Sequence, residues 1–157
     1  MGSIGTVLKF HNHRKQSSLF RRTPWVRLFY CSTRSTQCVK LPPMKPPYRE
    51  ERPWGKFEQF THNEQTTVKI ISVNPNEELS LQYHDKRDEF WRVLDGNPIL
   101  VIGDELVRAE PGDEFFVPRG INHRIMSEET PVRILEIAFG EFDEQDIVRL
   151  NDKYHRA

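Results

Sequence analysis

Three side chains interrupt an otherwise strand-like stretch of this chain. In "SLQYHDKRDEFWRVLDG", residues 80–96, Gln82, His84 and Glu89 stand among apolar and aromatic residues, and 39 residues past His84 a further histidine, His123, follows in "GDEFFVPRGINH". Two imidazoles, a carboxylate and an amide oxygen are suitable donors for a divalent metal of borderline character, such as Zn, Mn, Fe, Co or Ni. Alternate side chains of a strand share a face, so Ser80, Gln82 and His84 point one way while Leu79, Leu81 and Tyr83 point the other. Beyond the loop "DKRD", Glu89, Trp91 and Val93 share a face. The spacing also leaves a second arrangement open, in which Gln82 and His84 meet solvent and His123 caps a turn.

Positioning such donors requires strands. After Pro53 the chain reads as "KFEQFT", "TTVKIISV", "LSLQY", "EFWRVL", "PILVIG", "LVRAE", "EFFVP", "HRIMS" and "VRILEIAF", rich in Val, Ile and Phe with alternating polarity. Between them lie "NPNEE", "LDGNP", "EPGD" and "PRGIN", whose Gly, Pro, Asn and Asp mark turns. Many short strands at this spacing predict an all-β sandwich or barrel. Only "EQDIVRLNDKY" reads as helix, with Ile147 and Leu150 three apart and Tyr154 one turn on. Trp91, Phe115 and Phe116 are expected in the core or at the barrel mouth. Trp54 is expected to anchor the entering strand, and His11, His13 and His62 have no partner pattern.

Of 157 residues, 23 are basic and 23 acidic, and this balance hides an asymmetry. Ten Lys and Arg and no acid lie between Met1 and Arg49, leaving 13 basic against 23 acidic residues beyond. The basic segment, residues 1–47, is expected to be an unstructured leader preceding a domain over 48–157. Its composition suits either an organelle transit peptide or residues upstream of a true start at Met44, with a nucleic-acid-binding arm as the weaker alternative. Both cysteines, Cys31 and Cys38, fall in this segment, which leaves the domain no thiol for nucleophilic catalysis or a disulfide. No apolar run reaches the roughly 18 residues of a membrane span.

At these residues the chain resembles the cupin superfamily. The first cupin motif, G-x5-H-x-H-x3,4-E-x6-G, is similar to the stretch ending at Gly96, with Gln82 in place of the first histidine and Asn74 or Pro75 in place of the opening glycine. The second, G-x5-P-x-G-x2-H-x3-N, matches at Gly112, Pro118, Gly120 and His123, with Ser127 where the family has Asn. Within the cupins the pattern looks like the C-terminal domain of type II mannose-6-phosphate isomerases, through Arg52 to Gly55, Ser80 to His84, Arg87, Glu89, Trp91, Val93, Gly96, Asp146 to Arg149, Asp152, Tyr154 and Arg156. Phe90, Ala138 and His155 depart from it, standing where histidine, glutamine and glycine are frequent.

The resemblance implies an all-β, small double-stranded β-helix (cupin, jelly-roll) barrel with a short C-terminal helix. It implies a divalent metal ion (Zn, Mn, Co or Fe) on Gln82, His84, Glu89 and His123, and the interconversion of mannose 6-phosphate and fructose 6-phosphate. Glu136, sharing a strand face with Ile134 and Ala138, and Arg156 are the expected catalytic groups, although Glu136 as a surface carboxylate remains open. Lys86, Arg87 and Arg156 are the candidates for the substrate phosphate. The expected partner is a small-molecule sugar phosphate, with no nucleic acid and no membrane, in a cytoplasmic homodimer, or in an organelle if the leader is a transit peptide. The alternatives are a non-catalytic metal- and sugar-binding cupin module and a cupin metal-dependent oxygenase. No Gly-rich phosphate-cradling loop occurs in these residues, so sugar-nucleotide synthesis is not expected.

Overall fold

A computed structural model describes residues 29–31, 38–40 and 47–156. Most of the leader expected over 1–47 lies outside them; within it, β1 (Phe29–Cys31) and β2 (Cys38–Lys40) pair antiparallel. Next come β3 (Tyr48–Arg52) and β4 (Gly55–Gln59), which form a hairpin. Trp54, in the turn between them, is 72% exposed rather than anchoring the strand.

Residues from Thr66 onward form a separate compact unit. Its strands are β5 (Thr66–Val73), β6 (Leu81–His84), β7 (Arg87–Asp95), β8 (Ile99–Ile102), β9 (Glu105–Arg108), β10 (Glu114–Val117), β11 (His123–Met126), β12 (Val132–Gly140) and β13 (Ile147–Asn151). They assemble into a four-stranded sheet, β10-β7-β12-β5, and a five-stranded sheet, β13-β6-β11-β8-β9. The chain passes from one sheet to the other at nearly every connection, the β8–β9 hairpin excepted. This is the expected jelly-roll arrangement, in which consecutive strands mostly lie in facing sheets.

The inner faces follow the period-two pattern. Trp91, Val93, Leu100, Phe115, Val117, Ile125, Val132 and Ile134 are each at most 1% exposed and form the core. Alternate residues of β5 and β9 face outward, among them Val68, Ile70 and Leu106.

The C-terminal helix expected over "EQDIVRLNDKY" does not form. Glu144–Asp146 makes one 3₁₀ turn, capped by the Asp143 side chain accepting from the Gln145 amide, and the chain then enters β13 against β6. Spacing three apart made Ile147 and Leu150 look helical, but Ile147 and Arg149 are half-buried while Val148 and Leu150 are exposed, which is strand alternation. Ile and Val favour extended backbone, and β6 offers an unpaired edge that a helix would leave unsatisfied.

Three glycines of the motifs take positive φ, Gly96 at 76°, Gly112 at 93° and Gly120 at 75°; Gly96 and Gly120 show what that position costs. Their surroundings differ: a Cβ on Gly96 would lie 2.5 Å from the Pro131 carbonyl oxygen and 2.8 Å from Val132 Cγ1, whereas one on Gly120 meets nothing within 4 Å. Gly120→Ala is therefore expected to cost about 1 kcal/mol, the left-handed penalty alone, and Gly96→Ala about 3 kcal/mol or more, because backbone must shift. Urea unfolding of both variants tests this; equal losses would contradict it.

Candidate metal centre and acid/base site

His84 closes β6 in one sheet, and after Asp85 and Lys86 the chain opens β7 in the other, carrying Glu89 two residues in. The turn between them is held on two sides. The Asp146 carboxylate accepts from the backbone amides of Asp85 (3.3 Å) and Lys86 (3.0 Å), and the Gly120 amide donates to the His84 carbonyl at 2.6 Å. The latter bond ties the loop of the second motif to the end of the first. His123 begins β11 directly opposite Gln82 on β6, so both side chains emerge on one face.

The result is a buried cluster of His84, Glu89 and His123, each 2% exposed, whose ligand atoms lie within 4.8 Å of one another. Glu89 Oε1 is 3.1 Å from His84 Nε2, Oε2 is 3.7 Å from His123 Nε2, and the imidazole centroids are 4.9 Å apart. Arg87 Nε donates to Glu89 Oε1 and Trp91 Nε1 to Oε2, both at 3.1 Å. His123 Nδ1 faces the Ile121 carbonyl at 2.9 Å and must donate to it, which leaves Nε2 as a buried lone pair without a hydrogen-bond partner among the described residues. Arg87 Nη2 lies 2.9 Å from the same His84 Nε2 that faces Glu89. Two buried imidazoles and a carboxylate converging in the interior fit a divalent cation.

Protonation agrees. Burial drives the His123 pKa down, against the raising effect of Glu89, favouring the neutral ring a metal needs. Burial would raise Glu89, but hydrogen bonds from His84 and Arg87 and the adjacent imidazoles outweigh it and hold the carboxyl at about 2. Gln82 stands opposite His123 on the same face, its Oε1 accepting from Ser80 Oγ at 2.7 Å.

Glu136 is not a surface carboxylate. It lies on β12 between Trp91 of β7 and Lys69 of β5, 6% exposed on the inner wall that also carries Glu89. Burial, then the Glu89 charge, push its carboxyl up to about 7, against Lys69, Arg87 and Trp91, which lower it.

The expected phosphate groups separate. Arg87 is 3% exposed and engaged with Glu89, the Asp143 carbonyl and the Phe142 ring. Lys86 Nζ lies at the surface, 3.4 Å from Asp143. Arg156 is exposed and forked onto Asp152, at 2.7 and 3.1 Å. Two cations the sequence reading passed over face inward instead. Lys69 was legible from the alternation of "TTVKIISV", and Arg149 was hidden by reading its segment as helix.

Residues 45–152 match the family described as mannose-6-phosphate isomerase, C-terminal. The chain is 35% identical over 108 residues to the xanthan biosynthesis protein XanB of Xanthomonas campestris pv. campestris (strain B100), covering 68% of this chain and 23% of that protein. Against mannose-1-phosphate guanylyltransferase ManC of Salmonella typhimurium (strain LT2) it is 34% identical, covering 68% and 22%. The chain thus spans less than a quarter of these relatives. Among solved structures, the 3'-monoepimerase ChmJ of Streptomyces bikiniensis superposes with TM-score 0.54 at 9% identity over 68% of each chain. The 4-keto-6-deoxy sugar epimerase NovW of Streptomyces spheroides gives 0.52 at 12% identity over 66% of each. These likenesses establish a shared cupin fold. Among the described residues no helix is long and apolar enough to cross a membrane.

Zn or Mn added to metal-stripped protein at 100 times its dissociation constant is expected to stabilise the fold by about 2.7 kcal/mol. Thermal unfolding reads the effect, which Glu89→Ala or His123→Ala abolishes. For Glu136 the raised pKa means that the folded state keeps a proton the unfolded chain has released. Its contribution is fully present below about 4.5 and is lost as pH rises through about 7. In metal-stripped protein, Glu136→Gln should match the wild type near pH 5 and exceed it near pH 8 by on the order of 2–3 kcal/mol; no gain at the higher pH would refute the buried, proton-holding carboxyl.

Proposed function

The chain belongs to the mannose-6-phosphate isomerase C-terminal family of cupins, and on that footing we propose that it interconverts mannose 6-phosphate and fructose 6-phosphate. The observation that carries this reading is Glu136, a buried carboxyl held near neutrality on the same inner wall as the metal-type cluster. Aldose–ketose isomerisation needs one group able both to take a proton from carbon and to return it, and such a group works best with a pKa near the working pH.

His84, Glu89 and His123, with Gln82 beside them, would hold the divalent ion. When bound, that ion supplies positive charge to polarise the sugar's carbonyl and neighbouring hydroxyl. Glu136, as the carboxylate, removes the proton from C2 of open-chain mannose 6-phosphate. The electrons of that C–H bond form the C1–C2 double bond while those of the C1 carbonyl pass to its oxygen, giving an enediolate. The proton of the C2 hydroxyl then passes to the C1 oxygen, and as the C2 oxygen becomes the ketone, C1 takes the proton back from the Glu136 carboxylic acid.

Trp91 and Arg87 act around this exchange. The indole N–H and the guanidinium donate to Glu89, fixing its orientation and its charge. Val93, Phe115 and Ile134, buried in the core, make the surroundings of Trp91 apolar. Arg156, exposed and paired with Asp152, is not assigned to the proton transfer.

The test is turnover of mannose 6-phosphate by metal-stripped protein reloaded separately with Zn, Mn, Co or Fe. Glu136→Gln is expected to lower kcat by about 10²- to 10⁴-fold, the usual worth of a positioned base. Wild-type kcat should rise with pH through about 7, where Glu136 becomes the carboxylate. Tight metal binding without turnover under any of the four metals would replace this reading with a binding module, and oxygen consumption in the iron form with an oxygenase.

A further inference from the structure

β12 ends at Gly140, opposite Arg87 of β7, and two residues later the ring of Phe142 meets a cation from each of the two strands that flank β12. Lys69 Nζ, from β5, sits 3.8 Å from the ring centroid, and Arg87 Cζ, from β7, sits 4.6 Å from it. The next two residues continue the pattern. The Asp143 carbonyl accepts from Arg87 Nη1 at 3.2 Å, and Glu144 Oε1 accepts from Lys69 Nζ at 3.0 Å. Three consecutive residues thus engage the same two cations, and the Phe142 ring engages both.

Those cations stand beside the two buried carboxyl groups. Arg87 Nε donates to Glu89 Oε1 at 3.1 Å, and Lys69 is directly opposite Glu136 in the β5–β12 ladder. Burial, then the Glu89 charge, raise the Glu136 carboxyl, and Lys69 and Arg87 are the charges that lower it. Both cations are carried on long stems with many rotamers, and like charges repel, so their distance from the carboxyl groups needs an outside constraint. An aromatic face attracts both without adding a negative charge that would compete with Glu89 and Glu136 for them. Glu144 is no substitute: its side chain is 66% exposed, and it meets Lys69 where water screens the pair.

We propose that Phe142 is a positioning residue, whose ring holds Lys69 and Arg87 in place beside Glu136 and Glu89 and acts on the proton transfer only through them. The effect on turnover rests on the isomerase reading; the hold of the ring on the two cations does not.

The experiment uses the full chain loaded with Zn and two substitutions: Phe142→Leu, which keeps an apolar side chain and removes the π face, and Phe142→Tyr, which keeps the face. In proton NMR the Lys69 ε-methylene and Arg87 Nε–H resonances should be displaced in Phe142→Leu and lie close to wild type in Phe142→Tyr. In urea unfolding, Phe142→Leu and Lys69→Met should be coupled by about 2- to 5-fold in the unfolding constant. The kcat for mannose 6-phosphate should fall about 3- to 30-fold in Phe142→Leu, with KM changed less, and recover in Phe142→Tyr. If Phe142→Leu does not fold, Phe142→Met replaces it. Simple packing predicts the reverse: the leucine and tyrosine variants behave alike and the losses with Lys69→Met add, which would overturn the assignment. Coupling accompanied by wild-type kcat in Phe142→Leu would overturn the positioning role and leave the isomerase reading standing. Coupling and displaced resonances in a protein that turns over no mannose 6-phosphate support the hold on the cations and remove the isomerase reading.

Discussion

A carboxylate cannot remain ionised in the interior of a small barrel unless the barrel supplies the donors that water would have supplied. Glu89 meets that demand from three directions: Arg87 and Trp91 donate to its two oxygens, and His84 and His123 approach from the opposite sheet. Removing any donor would expose the desolvation cost of the charge, several kcal/mol for a poorly compensated buried ion. Core and site are therefore one structure. Trp91 fills the space between the sheets with its ring and satisfies Glu89 with its N–H, and Arg87 reaches from Glu89 to the Asp143 carbonyl and stacks on Phe142.

The ionised Glu89 also determines its neighbour. A second carboxyl on the same inner wall cannot readily share the burial and the charge, so Glu136 retains its proton to about pH 7 while Glu89 loses its own at about 2. Two carboxyl groups with opposite preferences lie beside the Trp91 indole, the arrangement on which the proposed division into metal ligand and acid/base rests. Lys69, opposite Glu136 in the ladder, opposes the upward shift and helps keep that carboxyl in a useful range.

Jelly-roll topology makes this economical. Because the chain changes sheet at the turn after His84, two ligand-type side chains five residues apart, His84 and Glu89, meet from facing sheets. The Asp146 carboxylate and the Gly120 amide then fix that turn from segments distant in sequence. Cupins of very different sequence share this frame, as the likeness to two sugar epimerases at 9% and 12% identity shows. Conservation of the frame leaves chemistry to the few groups that line it.

The donors themselves were legible in the sequence, because ligand type and period-two alternation are local properties. Gln82, His84, Glu89 and His123 announce strand faces of metal-ligand character, and Glu136 shows its alternation with Ile134 and Ala138. The amino-acid order likewise determined an all-β chain, through β-branched runs divided by Gly, Pro and Asn turns. Tertiary structure alone decided the rest. "DIVRL" satisfies helical and strand periodicity alike, and the open edge of β6 settled it as strand, turning Arg149 inward. Whether Glu136 is buried depends on Trp91 and Lys69 arriving from other strands. Which of the many arginines meets solvent and which meets the cavity depends on their carboxylate partners, Asp152 for Arg156 and Glu89 for Arg87. Burial, dielectric and hydrogen-bonding edges belong to pairs of segments far apart in the chain, and no single segment carries them.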